Sequence, residues 1–374
     1  MRQEASANHL FTYLHWRGDL SFSQAPFCAV DNLIFCCLSY LNWGEPASGL
    51  LPEQAISLKD AAAYWLHLPE TLRKVRVPQD ITLLQSTANS VRFGNVRLFR
   101  YVESFQEEQE QQFSATAFLL DADTAYIAFR GTDNTLIGWK EDFNMSFMTT
   151  VPAQLDAVEY LERAATAYTG EIYVGGHSKG GNLAVYAAAF CSPETQKRIH
   201  TVYNMDGPGF AQEVIEKPGY ARICSRIHTY IPQSSVVGML LEHEEAYTIV
   251  HSTQSGLMQH NVYSWEVLRN HLIELETVTK SSRFIDQTLK SWLKEMDPSY
   301  RGKIIDTIYE LFAQTDARTV SELTSNWYQN VSLLLKSWKK VDPQTQEYLR
   351  EMMRLLLKAV RENVEIWLPR TDAS

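Results

Sequence analysis

The chain has 374 residues, more than one compact domain usually needs, so a large domain with an appendage is expected. Hydrophobic residues make up 45% and charged residues 21% of it, the proportions of an ordinary globular protein. The net charge of -10 argues against a nucleic-acid partner, whose phosphates demand basic clusters.

The first eight residues are polar and lack the cationic start and apolar run of a leader, so none is expected. Residues 1–80 read as a helical segment. Asp31 stands where it would cap a helix over 31–41 that stops at Gly44-Glu45-Pro46, and a second helix is expected over 58–72. Five cysteines (Cys28, Cys36, Cys37, Cys191, Cys224) without C-x-x-C spacing suggest reduced thiols and a cytoplasmic setting. Strand-like runs follow over 91–93, 96–101 and 113–120, with a polar hairpin connection over 103–112. The run Ala125-Tyr126-Ile127-Ala128-Phe129 is apolar throughout, as in a strand buried on both faces.

From there helices and strands alternate, which implies a mostly parallel sheet covered by helices. A helix over 151–169 leads to a strand, then to Gly176-His177-Ser178-Lys179-Gly180 and a second helix. Strand, G-x-S-x-G and helix together make a nucleophile elbow, so Ser178 reads as a nucleophile. Further strands over 199–204, 226–231 and 246–251 end in Asp206, Ser235 and a loop holding His260. In such sheets chemistry gathers beyond the carboxyl ends of the strands. No run reaches the roughly 18 apolar residues of a spanning helix. Past about residue 280 four helical runs are expected, over 284–296, 303–312, 320–339 and 344–367. They would form a bundle or appendage over 281–374 beside a body over 1–280. The tail carries 14 basic and 13 acidic residues, so the acidity belongs almost wholly to the body.

A serine hydroxyl needs a histidine to take its proton, and the histidine needs a carboxylate to hold its tautomer. After Ser178, His200, His228 and His251 fall in or at the end of strands. His243 stands among glutamates and reads as solvated, and His271 falls in a helical run. His260 remains as the candidate base. Asp206 is the candidate acid, with a turn aspartate bonding its own backbone as the alternative. The backbone N–H of Lys179 is a candidate oxyanion donor. Its side chain is open to two readings, contact with an anionic substrate or solvation. His177 and Ser235 are candidates for substrate contact or support. No metal motif appears, and no cofactor is expected.

Ala128-Phe129-Arg130-Gly131-Thr132, followed by Trp139 and Asp142, resembles a strand signature of class 3 lipases. Gly176-His177-Ser178-Lys179-Gly180-Gly181 resembles their elbow. Together with Met205-Asp206-Gly207-Pro208-Gly209-Phe210, Ile231-Pro232-Gln233-Ser234-Ser235 and Gln259-His260, they resemble a bacterial family of lipase-like α/β-hydrolases of unassigned function. The resemblance spans about 90–270. It implies an α/β-hydrolase fold and a serine esterase or lipase acting on a small-molecule or lipid ester, with Thr132 as a second oxyanion donor. Lys179 departs from it, since lipases carry an apolar residue there. So does the missing aspartate near Ser235, which moves the acid one strand earlier, to Asp206. A fold that has lost its chemistry and kept a binding or regulatory role is the alternative. Peripheral membrane contact and a homodimer are left open.

Overall fold

The computed structural model describes residues 9–49, 51–106, 111–132, 145, 150–295 and 343–367. Its apolar runs become strands: β1 (Ile56–Ser57), β2 (Arg97–Gln106), β3 (Gln111–Leu119), β4 (Thr124–Phe129), β5 (Glu171–His177), β6 (Ile199–Met205), β7 (Ile227–Pro232) and β8 (Tyr247–Val250). With β11 (Glu274–Leu275) they form one nine-stranded sheet, while β9 (Val267–Leu268) and β10 (His271–Leu272) pair separately. Strands β4 to β8 run parallel. Antiparallel strands close both edges.

A sheet with such apolar strands must be covered on both sides. On one face the helices Ala29–Leu38, Leu58–His67 and Gln79–Ala88 lay Leu33, Phe35, Trp65 and Leu84 over Leu98, Phe118 and Tyr126. On the other, Pro152–Ala167, Lys179–Phe190 and Pro218–Ile223 pack Leu161, Leu183 and Tyr220 over Ile127, Val174 and Val202. The expected N-terminal helical segment is therefore one of the two helical layers. A mostly parallel sheet between such layers, with its elbow serine at the tip of β5, is an α/β-hydrolase fold. The helices Lys280–Glu295 and Pro343–Trp367 follow and pack on each other. The runs expected over 303–312 and 320–339 lie outside the described residues, as do Trp139 and Asp142.

Several local expectations change. The helix expected over 58–72 ends at His67, because Leu68 precedes Pro69 and adopts the extended backbone that proline imposes. Residues Val91–Gly94 are a helical turn rather than a strand: the Ser90 hydroxyl caps it by accepting from the Phe93 N–H. His271 lies in β10, not in a helix. Asp31 does not precede its helix but sits in its first turn, where it accepts from the Cys28 N–H at 3.0 Å.

That displacement gives Asp31 a second role. Its carboxylate receives Arg92 Nε at 2.7 Å and Nη2 at 2.6 Å, with both side chains fully buried. Arg92 also donates to the carbonyls of Leu20, Ala25 and Pro26, so one guanidinium ties the 20–26 loop to the helical layer. Arg92→Met would leave a buried carboxylate without its cation, and should lower the unfolding free energy by about 3–5 kcal/mol. Urea titration measures this; a loss below about 1 kcal/mol would show that the pair contributes little.

Candidate active site

Ser178 joins β5 to the helix Lys179–Phe190 with φ 59° and ψ -132°, a combination that residues bearing a side chain seldom adopt. The surrounding glycines make it possible by letting backbones touch. A Cβ on Gly176 would lie 2.2 Å from the Gly180 carbonyl carbon, and one on Gly180 would lie 2.2 Å from the Phe129 oxygen. Around this turn the Ser178 N–H donates to the Met205 carbonyl, and the Gly181 N–H donates to the Ser178 carbonyl, each at 2.9 Å.

The end of β4 passes directly over the elbow. A Cβ on Gly131 would be 2.5 Å from the His177 oxygen and 3.2 Å from the Ser178 Cβ. This brings the backbone leading to Thr132 beside the serine. Arg130 anchors that segment by donating to Glu103 Oε1 at 2.9 Å. Lys179 begins the elbow helix, so its N–H belongs to the end of a helix that favours negative charge. Its side chain, 2% exposed, turns inward and gives Nζ to the Gln112 carbonyl at 2.8 Å. Burial overturns the solvated reading of this side chain.

Asp206 follows β6 and is 1% exposed. One oxygen, Oδ2, lies 2.7 Å from His260 Nδ1, and the other accepts from the Ser235 hydroxyl at 2.5 Å and the Gly238 N–H at 3.2 Å. Three donors around one carboxylate suit its ionised form, which only accepts. Ser235 thus bonds the carboxylate rather than the histidine. The chain turns at Asp206 itself, at φ 52°. Gly207 and Gly209 are needed for close approach: Cβ atoms there would meet Asn204 Oδ1 at 2.4 Å and the Glu242 oxygen at 2.1 Å. Asn182 of the elbow helix donates to the carbonyls of Pro208 and Gly209, which fixes this loop to the helix that begins after Ser178.

His260 ends the short helical turn Gly256–His260, and its side chain is 28% exposed. His177 holds it from beside. The two rings lie 4.5 Å apart between centroids, and His177 Nε2 meets the His260 carbonyl at 2.9 Å. A carbonyl only accepts, so Nε2 carries the proton and Nδ1 accepts from the Tyr40 hydroxyl at 3.0 Å. Arg76, 4.5 Å above the Tyr40 ring, completes the cluster with Nη1 3.4 Å from the same nitrogen. Tyr40, Arg76, Asn182 and Gly238 carry no signal in the sequence; long chain separation hides them. Among the described residues no group of three His, Cys, Asp or Glu side chains could hold a metal.

Burial, then the charges of His260 and Arg76, push the His177 imidazole well below its ordinary 6.5. The unfolded chain therefore binds a proton there that the folded chain refuses. Stability is lost as pH falls below about 6.5, by up to about 1.4 kcal/mol per pH unit from this one group. Urea titrations at pH 7, 6 and 5 should show a shallower acid loss in His177→Gln; an unchanged slope would refute the assignment.

The family model described as Mbeg1-like matches residues 87–310. No curated protein matches. Among solved structures the chain is similar to a Rhizomucor miehei lipase–propeptide complex, a deletion mutant, at 17% identity and a TM-score of 0.33. That match covers 46% of this chain, which spans 58% of the Rhizomucor chain. The chain is also similar to lipase II from Rhizopus niveus, at 17% identity over 41% of this chain and 67% of that one, with a TM-score of 0.31. A crystal structure of fungal lipases shares 13% identity over 60% of this chain and 87% of that one, with a TM-score of 0.35. Since the family model covers more than half of its length, this chain belongs to the Mbeg1-like family.

Proposed function

We propose that the protein is a serine hydrolase of the lipase and esterase kind, cleaving the acyl ester of a small molecule or lipid. The observation that carries this reading is the 2.7 Å pairing of His260 Nδ1 with the buried Asp206 carboxylate, beside a serine in the elbow conformation. With Nδ1–H given to Asp206, Nε2 of His260 keeps the lone pair. It takes the Ser178 proton as Oγ adds to the ester carbonyl carbon. Asp206 holds the tautomer and stabilises the imidazolium that forms. The oxyanion is met by the Lys179 N–H and by Thr132. Collapse of the tetrahedral adduct breaks the bond to the alcohol, which leaves with the proton from His260. Water then attacks the acyl-serine with the same base, releasing the acid and restoring Ser178.

Residues 281–374 belong in this reading as an appendage to a body over 1–280. The Thr279 N–H donates to the Gln233 carbonyl at 2.7 Å, and the Ser282 hydroxyl to the Ser235 carbonyl at 2.7 Å. The helix that opens the tail thereby braces the turn supporting Asp206. Among the described residues no helix is long and apolar enough to cross a membrane.

A fluorophosphonate probe should label Ser178, and Ser178→Ala should abolish both labelling and short-chain aryl ester hydrolysis. Asp206→Asn should fold normally yet lose orders of magnitude in kcat, roughly 10⁴ in the best-known serine protease case. Near-native turnover in Asp206→Asn would exclude it as the acid. Failure of the wild type to react with the probe or hydrolyse any ester would favour a fold kept for binding.

A further inference from the structure

The Asp206 carboxylate is steadied from a second side by groups outside the chemistry above. Gly238, in the turn Val237–Met239, gives its N–H to Asp206 Oδ1 at 3.2 Å and to the Ser235 hydroxyl at 3.0 Å. No side chain fits there, since a Cβ would lie 2.4 Å from Asp206 Oδ1 and 2.6 Å from Ile231 Cγ2. The carbonyl of the same glycine faces His243 Nε2 at 3.0 Å. The other ring nitrogen, Nδ1, faces Glu245 Oε1 at 3.0 Å. The His243 and Glu245 side chains are 7% and 2% exposed, so the solvated histidine expected from its glutamate neighbours is a buried one.

Both partners of this ring are acceptors. A carbonyl has no proton to give. Glu245 is already surrounded by donors: the Tyr220 and Thr229 hydroxyls each reach it at 2.6 Å. Burial alone would raise its pKa, but the bonds and charge of His243, with those two hydroxyls, bring it below the ordinary carboxylate value. A neutral imidazole has one N–H and could make only one of the two bonds. An imidazolium makes both. Other charged groups stand near the His243 ring. The helix Lys280–Glu295 brings Asp286 towards it, and Lys290 lies 3.4 Å from Asp286 Oδ1 and 3.7 Å from Glu242 Oε1. The Tyr247 ring stands edge-on at 6.5 Å.

We infer that His243, as an imidazolium paired with Glu245, is a positioning residue for the Asp206 carboxylate. It pins the Gly238 carbonyl, the turn presents its N–H, and that N–H fixes the oxygen of Asp206 opposite the one bonded to His260. The consequence for catalysis rests on the hydrolase reading; the placement of Asp206 does not. Two readouts keep these apart. In Ser178→Ala, which needs no turnover, nitrogen-15 NMR should find both His243 ring nitrogens protonated at pH 6. The low-field proton of His260 Nδ1 should move upfield when His243→Ala or His243→Gln is added. In the active form, His243→Ala should lower kcat by about tenfold, the scale of one lost hydrogen bond to a charged group, with KM little changed. His243→Gln, which still donates a hydrogen bond, should retain more kcat than His243→Ala. A His243 ring with one bare nitrogen at pH 6, or a folded His243→Ala with wild-type kcat and an unmoved low-field proton, overturns the inference. If no form hydrolyses an ester, the hydrolase reading fails and the NMR result alone decides the placement.

Discussion

The close approach of three backbones at Ser178 is the constraint on which the rest of the molecule depends. The end of β4, the tip of β5 and the first turn of the elbow helix meet with Cβ-excluding contacts at Gly131, Gly176 and Gly180. Strain of the kind Ser178 carries costs about 1–3 kcal/mol and persists only where the surroundings over-determine it. Here they do. β5 is hydrogen-bonded between two parallel neighbours, and the elbow helix is buried along nearly its whole length. The serine is held in place because no neighbouring backbone can give way.

The same economy of space sets the position of Asp206. Asp206 leaves β6 in a left-handed conformation, directly behind the elbow, and its loop is bonded to the elbow helix through Asn182. Ser178 and Asp206 are thus mounted on one rigid unit. The turn after β7, where the sequence lacks an aspartate, supplies instead a hydroxyl and an N–H that converge on Asp206. That turn is itself tied to the helix at residue 280 and to the pair His243–Glu245. Rigid mounting with bonded outer groups is what a preorganised site requires.

The helical layer before residue 87, outside the stretch that the family model matches, also reaches the site. Tyr40 and Arg76 fix the tautomer of His177, and His177 holds the backbone of His260. Asn32 from the same layer accepts from Tyr126 of β4 at 2.7 Å, beneath the elbow strand, where a Cβ on Gly175 would strike it. The layer's own position depends on the buried Asp31–Arg92 pair. Packing, buried charge and site geometry are therefore linked from one face of the sheet to the other.

The sequence by itself determined the elements whose cause is local. The apolar run of β4, the glycine spacing around Ser178 and the alternation of strands and helices identify the fold, because each depends on residues a few positions apart. The pairing of Asp206 with His260 was also legible, as loop residues after successive strands of one sheet. Local rules misjudged 91–93, where a serine cap outweighs apolar content, and His243, whose charged neighbours suggest solvent. Only the tertiary structure decided that Lys179 turns inward, that Ser235 bonds the carboxylate rather than the histidine, and that Tyr40 reaches an elbow residue 137 positions away. Burial and hydrogen-bond partners at such separations are properties of the packed chain; no periodicity or spacing in the sequence encodes them.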